Sequence, residues 1–216
     1  MFADMGSFSQ AFGMDKLNFG EFTGFFGVEC GNILGLGGAF FAALLGIQAL
    51  AKEEKEHTAE FLLTHPVSRR RILLEKWCAI LTQIVLLNSI TIAVTAISIL
   101  LIGEEVSVKP LALLFFAYVL LQIEIAAVTF GISAFLCHGS LGIGLGLAAV
   151  LYFLNIIANL ATEAEFLKYI TPFGYTEGAD IIAEHAIPAG YLTTGILFAI
   201  AGLLLAFRIY QKKDIS

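Results

Sequence analysis

The densest chemistry in this sequence lies in one short stretch, Lys52 to Arg71, reading KEEKEHTAEFLLTHPVSRRR. Glu53, Glu54, Glu56 and Glu60 alternate there with Lys52 and Lys55, and Arg69, Arg70 and Arg71 close it. The Glu- and Lys-rich part favours a helix, on which Thr58, Phe61 and Leu62 share a face at i, i+3 and i+4. Pro66, followed by Val67, ends that helix, because the residue before a proline is pushed out of α geometry; Ser68 is suited to cap the next one. Residues of these types make contacts rather than reactions. Ion pairs beside an apolar face that must be covered suit a soluble partner. The three arginines fall in the first turn of the following helix, where each cation is unfavourable by about 0.3–1 kcal/mol, so another attraction has to offset them. Anionic lipid, at about 1 kcal/mol per basic residue, and the neighbouring glutamates are the candidates.

A second kind of chemistry is scattered through apolar runs. Glu124 stands near the middle of one such run, and a charged acid at the bilayer centre costs about 2.5–3.5 kcal/mol, so it must be protonated, paired or facing water. Its face, with Ala117, Ala127, Gly131 and Ala134, is made of small residues that favour close helix contact. Gln122 lies two positions away. Asn88, Thr91, Thr95 and Ser98 form one polar stripe at helical spacing, and Tyr152, Asn155 and Asn159 another. Each stripe either bonds to a neighbouring helix or lines a conduit, and Glu124, Gln122, Asn88, Asn155 and Asn159 are the candidates for a translocation path. No catalytic constellation accompanies them: His138 and Ser140 fall in a short turn, and no embedded Ser–His or Asp–Asp pair is present. Cys30, Cys78 and Cys137 have no metal-ligand spacing and read as small packing residues.

The elements that hold these residues follow from composition. The chain of 216 residues is 58% hydrophobic and 14% charged, with a mean hydropathy of +0.87, outside the range of soluble domains. About 20 apolar residues at about 1.5 Å each cross the hydrocarbon core. Five such runs are expected, at 24–51, 74–102, 110–136, 141–162 and 190–209. Pro66, Pro110, Pro172 and Pro188 all fall in gaps or first turns. None of the runs shows the period-2 alternation of a barrel strand, so the expectation is an all-α, polytopic helix bundle, a single membrane domain over 1–216. Glycines at four-residue spacing, Gly27, Gly31 and Gly35 and then Gly142 and Gly146, read as helix-packing stripes.

Charge sets the orientation. Nine of the twelve basic residues lie in the 52–76 stretch or after 207, which places that stretch and the C-terminus in the cytoplasm. The tail 1–23 is then external, as is 163–189, whose Phe166, Tyr169, Ile170, Phe173 and Ile181 suit the outer membrane interface. The tail carries neither a basic n-region nor an apolar h-region, and reads as an outer loop following a lost first helix. The net charge of −6, with basic residues not interleaved with aromatics, argues against nucleic acid.

HTAEFLLTHPVSRRRILLEK resembles the cytoplasmic segment of type-2 ATP-binding cassette (ABC) transporter permeases, approximately G-T-L-E-x-L-L-S-x-P-V-S-R followed by an apolar-x-x-K. Thr58, Glu60, Leu62, Leu63, Pro66, Val67, Ser68, Arg69 and Lys76 match; His57, Ala59 and Thr64 depart from the pattern. YITPFGYTEGADII at 169–182 is similar to the family's external segment, and FRIYQKKDIS to its closing basic-basic-Asp-Ile. Such permeases usually have six helices, so the resemblance implies that a first helix is missing ahead of this sequence. The resemblance implies the membrane subunit of an ABC transporter, an exporter in a prokaryotic cell (inner) membrane. It would pair with a second permease subunit, identical or related, in membrane lipid, and dock separate ABC ATPase subunits through a coupling hairpin at 52–71. Thr58, Glu60, Phe61, Leu62, Pro66, Val67, Ser68 and Arg69 would carry the coupling. No cofactor is expected in this chain: it has no G-x-x-x-x-G-K-[ST], so ATP and Mg would be bound by the partner ATPase. Two other readings remain: a membrane anchor or regulatory subunit that transports nothing, and a proton-coupled secondary transporter using Glu124, which would need internal repeats that the sequence does not show.

Overall fold

Five helices long and apolar enough to cross a membrane organise the computed structural model, which describes residues 22–55, 68–104, 106–136 and 140–213. The first rod is composite: α1 (Phe22–Cys30), a π-helical turn (Gly31–Gly35) and α2 (Leu36–Lys55). It is followed by α3 (Arg69–Ile102), α4 (Val108–Ser133) and α5 (Leu141–Leu160). Two 3₁₀ segments (Thr162–Tyr169 and Pro172–Tyr175) and the short α6 (Gly178–Glu184) lead to α7 (Ala189–Lys212). An all-α, multi-pass bundle is therefore the architecture. The run expected at 24–51 is one span, Gly24–Lys52, within which a π turn interrupts the α ladder, and α3 starts five residues earlier than hydropathy placed it. Its 34 residues reach about 50 Å at about 1.5 Å each, more than the apolar core needs, so its first turns stand beyond that core.

α4 is the axle of the bundle, packed most extensively on α2 and α7, whereas α3 touches its neighbours sparingly. Small residues allow the close approaches. On the α2 side, Ala39, Ala42 and Ala43 are fully buried, and a Cβ on Gly46 would stand 3.0 Å from the Phe130 amide nitrogen. On the α7 side, a Cβ on Gly131 would lie 3.0 Å from Gly202 Cα, and one on Gly202 would lie 3.0 Å from Val128 Cα. These are backbone-to-backbone contacts, so the small face around Ala127 and Gly131 is the seat of α7. Gly27, Gly31 and Gly35 face α6 and Tyr118. Gly142 and Gly146 behave otherwise: a Cβ on Gly146 would meet nothing within 4 Å, and one on Gly142 only Ser140 Oγ, at 3.7 Å. The packing glycine of α5 is Gly144, where a Cβ would stand 2.9 Å from Ile47 Cγ2, and at about 100° per residue it projects away from the other two.

The segment before α7 divides in two. Phe166, Tyr169 and Ile170 are exposed, as an interfacial stretch would be. Thr171–Thr176 is buried throughout, and Phe173 and Ile181, grouped with the interfacial residues on sequence, lie inside the bundle. Phe173 meets Tyr152 of α5 edge-on at 5.3 Å, and Thr171 Oγ1 donates to the Leu151 carbonyl at 2.8 Å. Cys78 is exposed on α3 rather than packed.

Candidate functional site

At the end of the bundle that carries the 52–71 stretch, three helix termini are tied by basic side chains. Ser68 caps α3, its Oγ accepting from the Arg71 amide at 3.3 Å. Arg69 then reaches across the bundle: Nη1 donates to the carbonyls of Tyr210 at 3.1 Å and Lys213 at 2.6 Å, at the carboxyl end of α7. Lys213 Nζ donates in turn to the Leu136 carbonyl at 2.8 Å, just past the end of α4, and Lys76 Nζ to the Ala49 carbonyl of α2 at 2.6 Å. The orphan carbonyls and negative dipole end of α7 supply the attraction that a cation in the first turn of α3 requires. Arg70 Nε reaches Gln211 Oε1 at 3.3 Å, while the Arg71 side chain forms an exposed i,i+4 pair with Glu75 at 2.8 Å.

The polar residues inside the bundle fall into three separate groups. Asn88 Nδ2 donates to Gln122 Oε1 at 2.7 Å and to the Ile84 carbonyl at 2.8 Å; the pair borders a cavity of about 200 Å³ between α2, α3 and α4, with Gly37, Phe41 and Thr91. Glu124, two residues from Gln122, points the other way. It is 5% exposed and its Oε2 accepts the Tyr175 hydroxyl proton at 2.8 Å, while Gly195 of α7 leaves room for both: a Cβ there would be 3.0 Å from Glu124 Cδ and 2.9 Å from Tyr175 Cε1. Burial, then the Glu124 carboxylate, push the Tyr175 phenol well above its ordinary value of 10.0. At the far end of α5, Asn155 Nδ2 and Asn159 Nδ2 donate to Glu177 Oε2 at 3.1 and 3.0 Å, and Tyr152 OH donates to Asn32 Oδ1 at 3.0 Å. The five path candidates thus form no single file through one subunit.

Comparison with known proteins adds the decisive observation: the family model described as ABC-2 family transporter protein matches residues 2–215. The chain belongs to the ABC-2 transporter family. A Bacillus subtilis (strain 168) relative, the uncharacterized protein YhcI, is 23% identical over 201 residues. That alignment covers 82% of this chain and 64% of the relative, so the chain spans somewhat less than two thirds of the relative's length.

Of the eight residues expected on sequence to carry the coupling, Thr58, Glu60, Phe61, Leu62, Pro66 and Val67 lie outside the described residues. Ser68 and Arg69 lie within them and form the cap and the clasp. Sequence reasoning missed the acceptor of Arg69, and it missed Tyr175, Glu177, Asn32 and Gly195 as partners of the polar stripes. A signal existed for Glu177 alone, as an acid following a buried aromatic segment; backbone acceptors and the register of α7 leave no mark in composition.

Proposed function

We propose that this ABC-2 chain is the permease of an ATP-driven exporter, set in a prokaryotic cell membrane with the 52–71 hairpin and the C-terminus in the cytoplasm. A separate ABC ATPase, holding ATP and Mg, docks on the hairpin, and a second permease subunit, the same chain or a relative, completes the path. Family membership and the one-sided distribution of basic residues support this reading, and the clasp of Arg69 on the carboxyl end of α7 is the observation that carries it. A hairpin joined only to α2 and α3 would move the bundle's loosest helix and little else. Through Arg69, a push on the hairpin also reaches α7, and α7 bears on the axle helix α4 at Gly131 and Gly202. ATP binding shifts the permease only to the extent that the ATPase contacts the hairpin differently in its two states. The cavity bordered by Asn88 and Gln122, beside the sparingly packed α3, is the part of this subunit offered to the path. Glu124, Asn155 and Asn159 are committed to partners within the bundle and its outer segment.

Co-purification tests the proposal. The solubilised chain is expected to retain a nucleotide-binding subunit expressed with it and to stimulate its ATPase activity. Glu60→Ala and Arg69→Ala are expected to separate hydrolysis from transport while the chain still inserts. Failure to retain any nucleotide-binding subunit would overturn the reading, and loss of insertion in both variants would assign the clasp an architectural role alone.

A further inference from the structure

Beside Glu177 lies a chamber of about 30 Å³, lined among others by Asn32, Tyr152, Asn155, Thr176 and Glu177. That is room for one or two water-sized occupants. Asn155 is 6% exposed, and its Oδ1 accepts no hydrogen bond from the protein. The amide orientation is settled by its neighbour: Nδ2 donates to Glu177 Oε2, so Oδ1 is the atom left without a donor among the described residues. Leaving a buried amide oxygen without a donor is unfavourable, so a partner is expected in the chamber. Asn32 Oδ1, already taking the Tyr152 proton, retains a second lone pair, and it is carried on the π-helical turn, a departure from α geometry that recurs at functional sites.

Charge separates a cation from a water. Among the described residues, the carboxylate of Glu177 receives only neutral amide donors, both on Oε2, and no Lys, Arg or His lines the chamber. A water would satisfy Asn155 Oδ1 as well, but it would bring no positive charge to the half-buried Glu177. One carboxylate with neutral oxygens matches a single positive charge; divalent sites gather several carboxylates. We propose that this chamber binds a small monovalent cation of sodium size through Asn155 Oδ1 and the Glu177 carboxylate. The ion pins the outer end of α5 to α6 and to the π turn of the first rod. The site stands independently of what the chain transports.

The test uses the full chain in detergent micelles, with ²²Na⁺ binding and thermal unfolding in NaCl or choline chloride at equal ionic strength, choline being too large for the chamber. Saturable binding of ²²Na⁺ is expected, with a midpoint raised by about a few degrees once sodium is roughly tenfold above its Kd. Glu177→Gln keeps an acceptor for the two amides while removing the charge, and is expected to abolish the binding and the sodium dependence of the midpoint. Absence of ²²Na⁺ binding to the unaltered chain, an equal response to both salts, or undiminished binding by Glu177→Gln would overturn the proposal. Should Glu177→Gln fail to fold, the binding measurement on the unaltered chain decides alone.

Discussion

Replacing the two partners of the buried Glu124–Tyr175 bond, singly and together, separates an architectural acid from a proton carrier. Tyr175 is 1% exposed and Glu124 5%, so neither group turns to water when its partner is lost. Glu124→Met keeps the volume and orphans the Tyr175 hydroxyl, and Tyr175→Phe orphans the carboxyl; each is expected to cost about 1–3 kcal/mol. The double variant places apolar groups on both sides and is expected to be more stable than the sum of the singles predicts. Hydrogen bonds between membrane helices average about 0.6 and reach about 1.7 kcal/mol by such cycles, so a coupling near the upper value is expected for a 2.8 Å contact sealed beneath Gly195. Glu124→Gln retains a carbonyl acceptor and is expected to stay within about 1 kcal/mol of the unaltered chain. Equilibrium unfolding in mixed SDS micelles supplies the four stabilities, and transport in vesicles a separate readout. Strict additivity of the two singles would refute the bond as the reason for the acid. A stable Glu124→Gln protein that transports nothing would refute the architectural role and revive proton coupling.

Glycine substitutions along the bundle are expected to sort by what their Cβ meets. Gly202→Ala would drive a methyl to within 3.0 Å of Val128 Cα, where only backbone could yield, and is expected to cost about 1–3 kcal/mol; Gly146→Ala meets nothing within 4 Å and is expected to be neutral or to stabilise by up to about 1 kcal/mol. Equal unfolding midpoints for the two would contradict the α4–α7 contact described here. Tyr175 also gives an alkaline signature. Because its phenol is raised above 10.0 in the folded chain, its contribution is fully present below pH 10 and declines above it by about 1.4 kcal/mol per pH unit, up to the folded value. Stability followed from pH 9 to 12 should therefore fall more steeply in the unaltered chain than in Tyr175→Phe, and parallel curves would count against the buried bond.

What the sequence disclosed, and what it concealed, divides along the range of the forces involved. The spanning helices are a matter of solvent: a run of apolar residues must satisfy its own backbone in lipid, so each run located its helix to within a few residues. The cap at Ser68 is likewise local, decided by a hydroxyl and an amide three positions apart. Packing is decided by which face of a helix a residue occupies, and four-residue spacing fixes periodicity without phase. That is why Gly142 and Gly146 looked equivalent to Gly27 and Gly31, although Gly144 is the residue that meets α2. The polar residues were visible one by one because hydropathy exposes any polar side chain in an apolar run, but their partners lie far along the chain. Asn88 bonds across 34 residues, Glu124 across 51 and Arg69 across 141 or more. The arginine turn is the instructive case. A cation at a helix start is a local contradiction that called for some other attraction; the sequence pointed to anionic lipid or the neighbouring glutamates, and only the fold could say that Arg69 binds the carboxyl end of α7.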